Sequence, residues 1–165
     1  MKKFIIQSVL LLLVIGIGIV FFAPGRPGPS SLEVPFFPKP VKISNLQIND
    51  QVLKVEIADT SAKRSKGLAG RDSMLDDEGM LFIFERADKY PFWMKGLKFP
   101  LDFVWIKDLA VVDILENVQA PTPGQSDSTL SIYSAKTEVD KVLELNAGTV
   151  QRLNIKIGDN IKINP

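Results

Sequence analysis

An aspartate stands inside the apolar run PLDFVWI, residues 100–106. If residues 101–106 are extended, Leu101, Phe103 and Trp105 face one way and Asp102, Val104 and Ile106 the other. A carboxylate on an apolar face is costly unless it is paired and hydrogen-bonded, so Asp102 requires a partner. Arg64 and Arg71, which bracket the element RSKGLAGR, lead the candidates because a guanidinium grips a carboxylate through two hydrogen bonds; Lys95 is the third. Asp102 then either pins that element to the sheet, or joins Arg71 and Lys95 at a pocket edge where a cation or polar ligand completes the charge pattern, or serves as a general base.

The neighbouring residues add to this set. Extended geometry sends Trp93 and Met94 to opposite sides, one toward the core and the other free to form an apolar platform for a sugar ring or peptide side chain. Glu144 alternates with Leu143 and Leu145 and reads as an edge or solvent-facing position, although with Asp102 it would supply the two carboxylates of a hydrolase. The run Asp76-Asp77-Glu78 lacks the alternating oxygen ligands of an EF-hand loop and reads as a solvated turn. The candidate ligand-binding residues are therefore Arg64, Arg71, Trp93, Lys95 and Asp102.

The chain has no Cys and no His. Thiolate nucleophiles, disulfides, imidazole zinc ligands and Ser-His-Asp triads are all excluded. No metal and no cofactor is expected, and an enzyme is the less favoured class. The net charge is +1, but Lys2, Lys3 and Arg26 precede every acidic residue, which leaves 17 basic against 19 acidic residues beyond them. That balance lacks the footprint of a nucleic-acid binder.

Residues 41–165 must position these side chains, and they read as short strands separated by turns. VKISNLQI (41–48) and VLKVEIA (52–58) form a hairpin around Asn49-Asp50-Gln51. Thr60 or Asp59 caps a short helix through SAKRSKGLAG. Strand-like runs follow at 80–84, 92–94, 101–106, 110–116, 130–135 and 142–146. A long loop lies at 116–129; after Gly148, TVQRLNI makes one or two helical turns, and GDNIKI closes the chain. The expected fold is mainly β (α+β): a compact twisted sheet or partly closed barrel with one or two short helices.

Ahead of this domain, residues 4–23 form an apolar segment about 30 Å long as a helix, enough to span a bilayer. Lys2 and Lys3 place its N-terminus in the cytoplasm by the positive-inside rule. Residues 1–23 are thus expected to be an uncleaved signal anchor, since GIVFFAPG offers Val20, Phe22 and Pro24 where a small-x-small cleavage site wants small residues; secretion after cleavage is the alternative. Residues 24–40, with six prolines, read as an extended linker holding the domain outside the membrane.

Three segments together resemble the DUF192 family of bacterial and archaeal proteins of unknown function. They are RSKGLAGR (64–71), GMLFIF (79–84) with FWMKGLKFPLDFVWI (92–106), and VLELNAGTV (142–150) leading to Gly158-Asp159. The resemblance covers residues 44–163 and implies a small, mostly β fold and an envelope location for many members. Gly96-Leu97 stands where the family commonly has Asn-Thr, and Ala69 where it often has Met. The function expected is a membrane-tethered, extracytoplasmic binding or accessory module for an envelope glycan, peptide or protein. The alternatives are a carboxylate-dependent hydrolase of an envelope polymer and a structural partner of another membrane protein.

Overall fold

The computed structural model describes residues 41–164. The expected anchor (1–23) and linker (24–40) lie outside the described residues. Among the described residues no helix is long and apolar enough to cross a membrane.

Seven strands form one mixed sheet: β1 Ile43–Ile48, β2 Gln51–Ala58, β3 Glu78–Asp88, β4 Leu101–Lys107, β5 Ala110–Val118, β6 Val139–Asn146 and β7 Ile161–Asn164. Their spatial order is β5-β4-β6-β3-β2-β1-β7. Only β2 and β3 run parallel. A parallel pair needs a crossover, and residues 59–77 supply it. They include α1 (Ser61–Lys66), whose N-cap Thr60 accepts from the Lys63 amide. The β1–β2 hairpin turns on two residues, with Asn49 at φ 52°, a conformation asparagine tolerates.

The sheet curls until its outer strands meet at one corner. The Val111 amide donates to the Asp159 carbonyl, the Gly158 amide to the Val111 carbonyl and the Ile161 amide to the Leu109 carbonyl, each at 2.8 Å. Among the described residues this is the expected mainly β, partly closed sheet with two short helices.

Both faces of the central strands are buried. Leu46, Val55, Leu81, Val104, Ile106, Leu143 and Leu145 fill the concave side, closed by Val150 of α2 (Thr149–Arg152). Met80, Phe82, Phe92, Met94, Leu101, Phe103, Trp105 and Val142 form a second core on the other side. That face is covered by Leu68 of the crossover, by Phe92 and Met94, and by Ala135. The runs at 92–94 and 130–135, read as strands, are covering segments instead. They touch through one pair, Phe92 and Tyr133, which exchange two backbone hydrogen bonds of 2.8 Å. Aromatic rings packed on the sheet make this cover hydrophobic enough to resemble strand sequence.

Candidate functional site

β4 divides its side chains as alternation requires. Leu101, Phe103 and Trp105 belong to the second core, while Val104 and Ile106 belong to the concave one. Asp102 is fully buried on the concave side, where its partners are backbone amides and not cations. Oδ1 accepts from the Asn117 amide at 2.8 Å and Oδ2 from the Val150 amide at 2.9 Å. The first amide is free because β5 carries a bulge opposite Asp102: Leu101 pairs with Val118 and Phe103 with Leu115, leaving Glu116 and Asn117 unmatched. The second belongs to the first turn of α2, whose opening amides lack intrahelical acceptors. Asp102 therefore ties a bulge and a helix start together. The expected pairings with Arg64, Arg71 or Lys95 are corrected by this geometry.

Arg71 instead clasps Glu56 on β2, with Nη1 donating to Oε1 and Nη2 to Oε2 at 2.7 Å. Arg64 donates from Nη1 to the Ile83 carbonyl at 2.9 Å, and its guanidinium carbon lies 5.1 Å from the centre of the Phe84 ring. Met94 is buried and Trp93 is 49% exposed, so the apolar platform falls to Trp93. Lys95 reaches Asp127 at 2.7 Å, in the 3-10 turn Asp127–Thr129 of the long loop.

Arg64, Trp93 and Lys95 come together around a half-open pocket of about 240 Å³. Its walls are α1 and the turn after it (Arg64 to Leu68), Phe82 and Phe84 of β3, and the covering segment from Tyr90 to Leu97. Phe82 meets Phe92 edge-on at 5.1 Å, and Tyr90 stacks on Phe84 at 3.5 Å. Gly67 ends α1 at φ 48° and ψ −140°, a backbone state that side chains other than glycine's rarely adopt. This turn carries the chain along the pocket wall.

The residue that gives the pocket its chemistry is Glu144. It pairs in register with Met80 on one side and Phe103 on the other, in the middle of the second core's face. It is 5% exposed and lines the pocket, and its Oε2 has no hydrogen-bond partner. Burial pushes the carboxyl up to about 8, against a smaller lowering by the charge of Arg71. At pH 7 the group is therefore mostly a neutral acid, able to donate one hydrogen bond and accept others. The solvent-facing reading of Glu144 is overturned because β6 is a central strand whose outer face lies under the cover segments. The paired-carboxylate arrangement is absent as well, since Glu144 and Asp102 lie on opposite faces of the sheet.

Gly96 and Ala69, two of the three positions that depart from the resembled pattern, face one another. The Gly70 amide donates to the Gly96 carbonyl at 2.9 Å, and a Cβ at Gly96 would stand 3.1 Å from the Ala69 Cβ. Beyond this site, a second cavity of about 260 Å³ runs along the long loop, lined by Met94, Gln119, Thr122, Gln125 and Tyr133 among others.

The family model DUF192, described as Uncharacterized ACR, COG1430, matches residues 44–163. Two solved structures are similar. One is a candidate transcription regulator from Sinorhizobium meliloti 1021, 31% identical with a TM-score of 0.69, over 77% of this chain and 98% of that one. The other is a protein of unknown function from Novosphingobium aromaticivorans DSM 12444, 29% identical with a TM-score of 0.66, over 87% of this chain and 96% of that one. No curated protein matches.

Proposed function

The chain belongs to the DUF192 family, and from that premise we propose that it is a non-catalytic binding module, tethered by residues 4–23 outside the membrane, that takes one group of an envelope glycan, peptide or protein into the Glu144 pocket. The observation that carries the proposal is Glu144, a buried carboxyl on the lining of an aromatic-walled opening, whose Oε2 has no hydrogen-bond partner. Leaving a buried polar atom unpaired costs about 1–3 kcal/mol, a cost that a ligand's polar group would recover. Aromatic walls with a few convergent polar groups are the usual makeup of a ligand site.

A two-carboxylate hydrolase is not favoured, because Asp102 is spent on two amides on the far side of the sheet. The regulator designation of the Sinorhizobium protein is not carried over either, since the domain lacks an excess of basic residues. Thermal-shift measurements on the full-length chain against envelope saccharides and peptides at millimolar concentration test the proposal. Stabilisation that disappears in a variant with Trp93→Ala supports it; no stabilisation by any of them overturns it. Co-purification of a stable protein partner that leaves the pocket open would move the function to assembly.

A further inference from the structure

We infer that the group this pocket takes is a sugar acid: a hydroxylated ring whose carboxylate meets Arg64 and Lys66 at the mouth and whose hydroxyl meets Glu144 at the inner wall. The inference rests on the binding reading above and adds the chemistry of the ligand.

Charge at the mouth is the first argument. Arg64, Lys66 and Lys95 all line the pocket, and only Lys95 is matched by an acid, Asp127. Among the described residues neither Arg64 nor Lys66 forms a salt bridge. Among the described residues Glu144 is the one carboxyl on the pocket's lining, and as a neutral acid it offsets neither cation. Two uncompensated positive charges beside aromatic walls attract an anion more strongly than they would in open water. Arg64 is already oriented by its bond to Ile83, and the rest of its donor fork is uncommitted. A cationic ligand is disfavoured on the same grounds, because Arg64 and Tyr90 already occupy the Phe84 ring.

The deep end supplies the second argument. An aliphatic side chain would fill the aromatic walls but leave the Glu144 carboxyl on the pocket lining without a hydrogen-bond partner. A ring hydroxyl supplies one to the carboxyl. The volume of about 240 Å³ has room for one ring. Trp93, half exposed at the rim, offers a flat face to such a ring.

The test is a titration of the full-length chain with D-glucuronate, D-glucose, glucose 1-phosphate and N-acetyl-leucine, followed by tryptophan fluorescence. Both tryptophans emit, so a variant with Trp93→Phe, which keeps the buried Trp105, serves as the blank and the difference reports Trp93. Glucuronate is expected to bind at least tenfold more tightly than glucose or N-acetyl-leucine. Arg64→Gln should weaken glucuronate about tenfold or more, and Lys66→Gln, at an exposed position, roughly two- to fivefold, with glucose unaffected. The second variant keeps the test informative if the first fails to fold.

Equal affinity for glucose and glucuronate would overturn the inference, and so would tighter binding of glucose 1-phosphate, which would move the class to sugar phosphates. Tighter binding of N-acetyl-leucine would overturn it in favour of a peptide terminus. If all four probes fail while another saccharide or peptide of the thermal-shift screen binds, the sugar-acid inference falls and the binding reading stands. If the whole screen fails, both fall.

Discussion

Replacing Glu144 with glutamine should make this protein more stable, by an amount that grows with pH. The carboxyl's folded value is pushed from 4.5 to about 8 by burial between Met80 and Phe103. Between those values the folded chain holds a proton that the unfolded chain releases, so raising the pH favours unfolding. Each pH unit in that window removes about 1.4 kcal/mol, which amounts to about 3 kcal/mol at pH 7 and about 5 kcal/mol above pH 8. Below pH 4.5 the penalty vanishes. Glutamine has the same shape, stays neutral and escapes the titration. The charged and titratable groups around the site do not cancel the effect: Arg71 is clasped by Glu56, Lys95 by Asp127, and Arg64, Lys66 and Tyr90 belong to the pocket wall. Urea unfolding of the full-length wild type and of Glu144→Gln at pH 4, 5.5, 7 and 8.5 should give midpoints that coincide at pH 4 and separate steadily above it. A thermal melt at pH 7 should show a gap of about 10 °C for a domain of this size. A constant difference across the pH range would refute the reasoning, because it would mean that the carboxyl titrates alike in the folded and unfolded chain.

Asp102→Ala should destabilise the domain by about 3–5 kcal/mol in urea unfolding, since it strands the Asn117 and Val150 amides on the concave side. Gly79→Ala should cost about 1–3 kcal/mol by the same assay, because its Cβ would stand 2.8 Å from the Leu145 Cδ2 and 2.9 Å from the Glu144 carbonyl oxygen. Trp93→Ala should change stability by less than about 0.5 kcal/mol while lowering ligand affinity, a separation readable by a melt and a titration on the same sample. A double-mutant cycle on Arg71 and Glu56 should return a coupling of about 1 kcal/mol that shrinks in high salt, because both side chains keep some exposure to water.

Much of the scaffold was legible in local patterns. Alternation assigned the two faces of β4 residue by residue, the turn at Asn49 set the hairpin, and Thr60 and Gly148 marked the starts of both helices. The partner of Asp102 was not legible, because Val150 is 48 positions away and a backbone amide carries no signature in its side chain. Arginines looked like the natural partners since only side chains can be read from a sequence. Glu144 was misread for a related reason. Alternation in VLELN gives the correct face, but whether that face meets water depends on the cover segment at 90–97, which the pattern at 142–146 does not encode. Of the five candidate residues, the three that converge all come from segments beside that cover or within it.

The strand that closes the sheet is also the seventh in chain order. β1 is therefore an open edge until residues 161–164 are made, and its partner lies far along the chain, Gln47 opposite Lys162. Unpaired edges are templates for joining other chains, so the nascent domain carries an aggregation hazard through most of its synthesis. Asn45 and Gln47, beside the exposed Ile43 on the outer face of β1, make that strand a poorer template for intermolecular pairing while its partner is awaited.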